Sequence, residues 1–181
     1  GAVTLDANPD AETQDQYSFT VVAIDEALNV SEQSVTLDIN DLDDTAATIT
    51  SGDTTDAIDE NSGSGQVVYT ATADDSADVS DGVTFSLAAG SDVALSIDAD
   101  SGAVTLNADP DADTQAKYSF TVVATDAAGN ESAGQSVTLD ITDLDDAAPT
   151  ITSGAVAAAI DENSGENQVI YTATADDSGD D

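Results

Sequence analysis

The hydrophobic residues of this chain fall in short runs interleaved with polar ones. Tyr118, Phe120 and Val122 alternate with Ser119 and Thr121, the period of two that puts every second side chain on one face of a β-strand. Comparable β-branched or aromatic runs lie at 47–51, 66–73, 83–87, 93–97, 103–106 and 136–141. With the run at 118–125 they make seven. Clusters such as Asp98-Ala-Asp-Ser-Gly102 and Asp126-Ala-Ala-Gly-Asn130 separate them and read as turns. No amphipathic helix is visible. The pattern predicts an all-β fold with a core drawn from Tyr69, Phe85, Leu87, Ile97, Leu106, Phe120, Val122, Val137 and Leu139. Ala, Thr and Ser fill most other positions, so that core is thin.

The pattern also repeats. Gly1-Ala-Val-Thr-Leu5 returns at Gly102 to Leu106, and Tyr17 to Ala23 returns at Tyr118 to Ala124, an offset of 101. Gln33 to Leu37 returns at Gln135, Asp59 to Gly63 at Asp161, and Tyr69 to Ser76 at Tyr171, an offset of 102. A period near 102 residues is the size of one immunoglobulin-like sandwich. The expected division is 1–45 as the C-terminal half of one repeat, 46–147 as a complete repeat, and 148–181 as the N-terminal part of another. The chain therefore reads as a window onto a longer tandem array of seven-stranded Greek-key β-sandwiches.

Charge sharpens the picture. The chain carries 38 acidic residues, one basic residue (Lys117) and no histidine, a net charge of −37. Such a surface has nothing to neutralise phosphates, which excludes nucleic acid and anionic membranes as partners. No apolar run approaches the ~20 residues that span a bilayer. The absence of cysteine excludes disulfides, thiolate metal sites and thiol catalysis. Cations are the expected partner. The sharpest signal is Asp143-Leu-Asp-Asp146 and its earlier copy Asp41-Leu-Asp-Asp44, each placing three carboxylates in four residues directly after a strand. Like charges so close repel strongly without a cation between them. Oxygen ligands without nitrogen or sulfur favour calcium, with magnesium second. These stretches read as calcium-binding hinges between repeats.

The order of Asp59-Glu60-Asn61, Asp111-Ala-Asp113 before Tyr118, Ala124-Thr-Asp126, and Asp143 through Pro149 resembles a cadherin repeat across essentially the whole chain. The composition, rich in Asp, Thr and Ala, is most similar to the cadherin-like repeats in extender regions of large secreted RTX-type bacterial adhesins. The resemblance implies calcium at each junction. The first junction would draw on Asp10, Glu12, Asp41, Asp43 and Asp44, with Asp74 or Asp75, and Asp126 reaching back to it. The second would draw on Glu60, Asp111, Asp113, Asp143, Asp145 and Asp146, with Asp176 or Asp177. Departures from the family pattern are Thr45 and Ala147 where Asn is usual, and Ala47 in place of the linker proline, so one or two ions per junction are expected. Asp6, Asp53, Asp56, Asp78, Asp92 and Asp100 read as solvated turn residues.

An enzyme is not expected. No His, Trp or Arg is present, Lys117 reads as a surface residue, and the abundant Ser and Thr have no imidazole to activate them. The resulting expectation is an extracellular, calcium-stiffened adhesive extender that contacts neighbouring repeats of its own array and like chains in a fibre. Two rival readings stand beside it: a sandwich that binds carbohydrate or another surface directly, and a self-assembling filament subunit.

Overall fold

The computed structural model describes residues 1–79 and 82–178. Every regular element in it is a strand. Two long strands, β1 (Gln16–Ile24) and β2 (Val30–Asp38), form an antiparallel hairpin with Tyr17 opposite Leu37 and Phe19 opposite Val35. The central part of the chain holds β3 (Thr48–Ile49), β4 (Ile58–Asp59), β5 (Gln66–Thr70), β6 (Ala73–Asp74), β7 (Val83–Leu87), β8 (Leu95–Ile97), β9 (Ala103–Leu106), β10 (Lys117–Asp126) and β11 (Gln135–Thr142). Beyond it lie two short strands, β12 (Thr150–Ile151) and β13 (Ala175–Asp176), which pair with each other.

The central strands make a β-sandwich. One sheet has the order β4-β11-β10-β7 and the other β5-β9-β8, with β3 and β6 paired beside them. Burial alternates strictly along β10, where Tyr118, Phe120, Val122 and Ala124 point inward, and along β11, where Val137, Leu139 and Ile141 do. Val104 and Leu106 of β9, Tyr69 of β5 and Leu95 of β8 meet them from the opposite sheet. The Tyr69 and Phe120 rings pack edge to face with centroids 5.6 Å apart, a favoured aromatic arrangement. Short β-branched side chains suit this half-buried pleated surface, and the all-β expectation holds.

Three details differ from the sequence pattern. The run at 66–73 is broken into β5 and β6, with a bulge between Val67 and Tyr69 that shifts the register against β9. Ile58–Asp59 forms a strand that alternation does not reveal, because it is two residues long and is held only by parallel pairing to Ile141 and Thr142 of β11. Phe85, Leu87 and Ile97 are only partly buried, since β7 and β8 are edge strands with one neighbour each.

Candidate metal centre

Both acidic junctions start from the same local device. Asp10 accepts the Thr13 N–H through Oδ1 and the Thr13 hydroxyl through Oδ2, both at 3.0 Å. Asp111 does the same with Thr114, both at 2.9 Å. Such side-chain acceptors satisfy backbone donors that a turn leaves open. Each turn also carries a second acid two residues on, Glu12 or Asp113, exposed in both cases.

At the first junction the acids converge. Glu12, Asp41 and Asp78 each offer one carboxylate oxygen, and these oxygens lie within 4.8 Å of one another. They come from the loop before β1, the linker after β2 and the loop after β6, so the group draws on both sides of the linker. The linker is tied down as well. The Asp44 N–H donates to Asp78 Oδ2 at 3.1 Å. Asn130 Nδ2 donates to the Asp43 carbonyl at 3.2 Å and to Asp126 Oδ2 at 2.9 Å. Asp126 Oδ1 in turn accepts the N–H groups of Gly129 and Asn130 at 2.7 and 2.8 Å.

The electrostatics follow from that crowding. Glu12 accepts its own backbone N–H, which lowers its pKa, but hydrogen bonding with the Asp10 and Asp41 carboxyls and repulsion from Asp41 push it up to about 7. Asp10 is held below its ordinary value by the hydrogen bond from Glu12 and by those from Thr13. Burial, followed by the charges of Asp126, Asp75 and Asp78, raises Asp43. Burial also acts to raise Asp126, but the Asn130 side chain and the surrounding backbone donors outweigh it and leave the carboxyl lowered.

Asp75 stands apart from the rest. It is only 8% exposed, and among the described residues its Oδ2 has no hydrogen-bond partner. An unmet buried carboxylate oxygen is costly, and a cation is the partner this donor set fits. Asp74 is different. As part of β6 it pairs with Thr48 of β3, and its exposed carboxylate accepts the Ser76 N–H at 3.0 Å.

At the second junction Glu60 is the organising residue. Pairing of β4 with β11 sets it at the sandwich end, where it is 4% exposed. Its Oε2 accepts the Ala112 N–H and its Oε1 the Leu144 N–H, each at 2.7 Å. One carboxylate thus joins the acidic turn to the linker. Asp146 Oδ2 accepts Asn61 Nδ2 at 2.5 Å. Asp113, Asp143, Asp145 and Asp146 are all exposed. Asp176 repeats the Asp74 turn through Ser178 N–H at 3.2 Å, and Asp177 is exposed. The described residues show no three-acid group here like that of the first junction. The counterpart of Asp78, Asp180, lies outside the described residues.

Two participants escaped the sequence reading. Asp78, taken there as a solvated turn residue, belongs to the first cluster because the loop after β6 folds back over the linker. Its signal was the density of Asp74-Asp75-Ser-Ala-Asp78, three acids in five residues. Asn130, read only as part of a turn, bridges Asp43 and Asp126, and nothing local in the sequence marks it.

Residues 55–142 match the sequence profile of the Cadherin domain family. Among solved structures, the protocadherin GammaB4 extracellular domain is 25% identical over 83% of this chain and 26% of that one, with a TM-score of 0.59. Mouse cadherin-23 EC22-24 is 23% identical over 81% of this chain and 49% of that one, at 0.64. A protocadherin gammaB7 EC3-6 cis-dimer structure is 24% identical over 81% and 38%, at 0.58. The chain thus spans about a quarter to a half of the structures it matches. No curated protein matches its sequence. Cadherin domains generally bind calcium and serve adhesion, not catalysis. Over residues 55–142 the central sandwich is thus similar to a Cadherin domain, and its fold is the one these extracellular cadherin structures share.

Proposed function

We propose that this chain is an extracellular extender module of a surface adhesin, with calcium at its inter-repeat junctions setting its stiffness. The observation that carries the reading is the buried, unpartnered Oδ2 of Asp75, whose charge acts on Asp43 together with those of Asp126 and Asp78. The proposed ligand pool of the first junction is Asp10, Glu12, Asp41, Asp43, Asp75, Asp78 and Asp126. That of the second is Glu60, Asp111, Asp113, Asp143, Asp145, Asp146 and Asp177. Repeat boundaries at 45/46 and 147/148 place both linkers between sandwiches. Without calcium the acids repel and neighbouring sandwiches pivot. With calcium, ligands from both sides and the linker close on the same ions. The near absence of Lys and Arg fits the extender of a bacterial, secreted RTX-type adhesin, the finer assignment we favour. Other partners are neighbouring repeats of the same array and like chains in a fibre.

The test is calcium titration of the full chain followed by calorimetry, with EDTA as reference. At a calcium concentration 100-fold above Kd the expected stabilisation is about 2.7 kcal/mol, and extracellular sites of this type have Kd values of roughly 10⁻⁴–10⁻³ M. Asp75→Asn separates a ligand from a structural residue. In EDTA it leaves the chain as stable as the parent or more so, because a buried charge has gone, and in calcium it removes much of the gain. A chain indifferent to calcium up to ~10 mM, beyond the weakest such sites, would refute the reading.

A further inference from the structure

The linker after β2 enters the central sandwich within a few residues. Asp41 and Leu42 are exposed, whereas Asp43, Thr45 and Ala46 are half-buried and Ala47 is buried. Burial therefore begins at Asp43. It begins at a costly place, because burial and then the charges of Asp126, Asp75 and Asp78 all raise the Asp43 carboxyl. A carboxylate set against like charges stays docked only where other bonds offset the repulsion.

Two residues of the central sandwich supply such bonds. The Asn130 side-chain amide has two N–H groups, and it uses them in two directions. Nδ2 donates to Asp126 Oδ2 at 2.9 Å and to the Asp43 carbonyl at 3.2 Å, with Asp43 Oδ1 at 3.4 Å. The turn that carries it closes on itself: the Asp126 N–H donates to the Asn130 carbonyl at 3.2 Å, and Asp126 Oδ1 accepts the Asn130 N–H at 2.8 Å. In the first hairpin Asn29 makes the matching bonds to Asp25, its N–H at 2.8 Å and its Nδ2 at 2.7 Å. The turn is therefore a property of its own sequence. Asp78 holds the next two residues. Its Oδ2 accepts the Asp44 N–H at 3.1 Å. Bonds from the Asp44 and Val79 N–H groups, and then from Thr45, outweigh burial and keep the Asp78 carboxyl below its ordinary value.

We infer that residues 43–46 are docked on the central sandwich by protein bonds alone, with Asn130 and Asp78 as the positioning residues. In the metal-free chain the linker from Asp43 onward moves with the central sandwich, and bending at the first junction is confined to the residues before it. Asp43, Asp75, Asp78 and Asp126 then form a half-site that stands before any ion arrives. Glu12 and Asp41 are the ligands that the ion gathers from the other side. Placing ligands in advance reduces the freedom lost on binding, so Asn130 raises metal affinity without touching the metal. Asp78 acts in both ways, because its carboxylate also belongs to the three-acid group with Glu12 and Asp41. The half-site rests on the calcium reading, whereas the docking of the linker does not.

Amide hydrogen exchange of the full chain in EDTA, read by NMR, tests the docking. The wild-type Asp44 amide is expected to exchange at least about tenfold more slowly than an open backbone, the worth of one bond to a charged acceptor. Asn130→Ala and Asp78→Ala are each expected to remove most of that protection while the β10 and β11 amides stay slow. Asp78→Asn keeps an oxygen for the Asp44 N–H and should retain it. Asn29→Ala, the same change in the turn of the first hairpin, should leave Asp44 untouched. Calorimetric titration then reads the metal. Asn130→Ala is expected to weaken calcium binding about 10- to 100-fold, the range for residues that orient a ligand. A wild-type Asp44 amide that exchanges as fast as open chain overturns the inference, as does protection that both Ala variants leave intact. Calcium binding that Asn130→Ala leaves unchanged overturns its positioning role. Protection that the Ala variants abolish, in a parent that binds no calcium, would keep the docking and refute only the calcium reading.

Discussion

The hairpins β1–β2 and β10–β11 share most of their residues and the same register, Tyr17 opposite Leu37 and Tyr118 opposite Leu139. Yet Phe120 is 2% exposed, whereas Phe19 in the other hairpin is only half-buried. Residues 66–70 and 168–172 make the same contrast. Gln-Val-Val-Tyr-Thr is a strand where β9 lies beside it, and Gln-Val-Ile-Tyr-Thr is not a strand where no such partner is present. Local preference is equal within each pair, so the difference is tertiary. Sheet stability here comes from cross-strand and cross-sheet partners, as expected when β-propensity largely measures packing.

The largest effect that would break this comparison is truncation of the shared phenylalanine. Phe120→Ala is expected to cost about 3–5 kcal/mol, the usual range for emptying a buried aromatic site. Phe19→Ala, at a half-buried position, should cost only about 1 kcal/mol. Urea unfolding with hydrogen exchange at the β9 to β11 amides locates the change. Equal losses for the two variants would mean that the hairpins are equally covered.

The same contrast explains what sequence alone revealed. Strict alternation made β10 and β11 visible, and their inward residues form most of the core. Val104 and Leu106 are fully buried in the four-residue strand β9; the sequence reading named only Leu106, although Val104, two residues before it, shares its face. The pairing that makes Ile58–Asp59 a strand is contributed by residues more than 80 positions away, beyond any local pattern. At the junctions the linker triplets were legible as charge density. The choice between Asp74 and Asp75 was not, since it depends on which of two adjacent side chains β6 turns inward. Asp78 was missed for a related reason: its partners Glu12 and Asp41 are distant in sequence.

Glycine gives a contrast of intermediate size. Gly102 has φ of +69°, its N–H donates to the Asp98 carbonyl at 2.9 Å, and its own carbonyl accepts the Ala71 N–H at 2.8 Å. A Cβ there would meet the Ala71 carbonyl oxygen. Gly1, its counterpart in the repeat, has nothing within 4 Å of that position. Gly102→Ala is therefore expected to cost about 2–3 kcal/mol from the left-handed backbone and the clash together. Gly1→Ala should leave the unfolding midpoint unchanged. A neutral Gly102→Ala would mean that β5 and β9 separate readily, and the covered strand pair would then resemble the uncovered one.

The smallest effect concerns the one cation. Lys117 pairs with Asp140 across β10 and β11, and Gln16 at the matching place in the first hairpin donates Nε2 to Asp38 Oδ1 at 2.5 Å. Both geometries join the same two strand positions, one with a charge and one without. The Lys117 and Asp140 side chains are 66% and 57% exposed, so water screens their attraction and ordering two mobile side chains offsets part of it. Lys117→Gln is expected to lower stability by about 0.5 kcal/mol or less. Because Lys117 is also the only positive side chain in a chain of net charge −37, the loss should be greatest at low ionic strength. It should vanish in about 1 M salt, where the Debye length falls to about 3 Å. Urea midpoints at the two salt concentrations measure this. A loss above about 1 kcal/mol that survives high salt exceeds what an exposed pair supplies. It would show that the second hairpin depends on its ion pair, whereas the first closes in the same register with an amide.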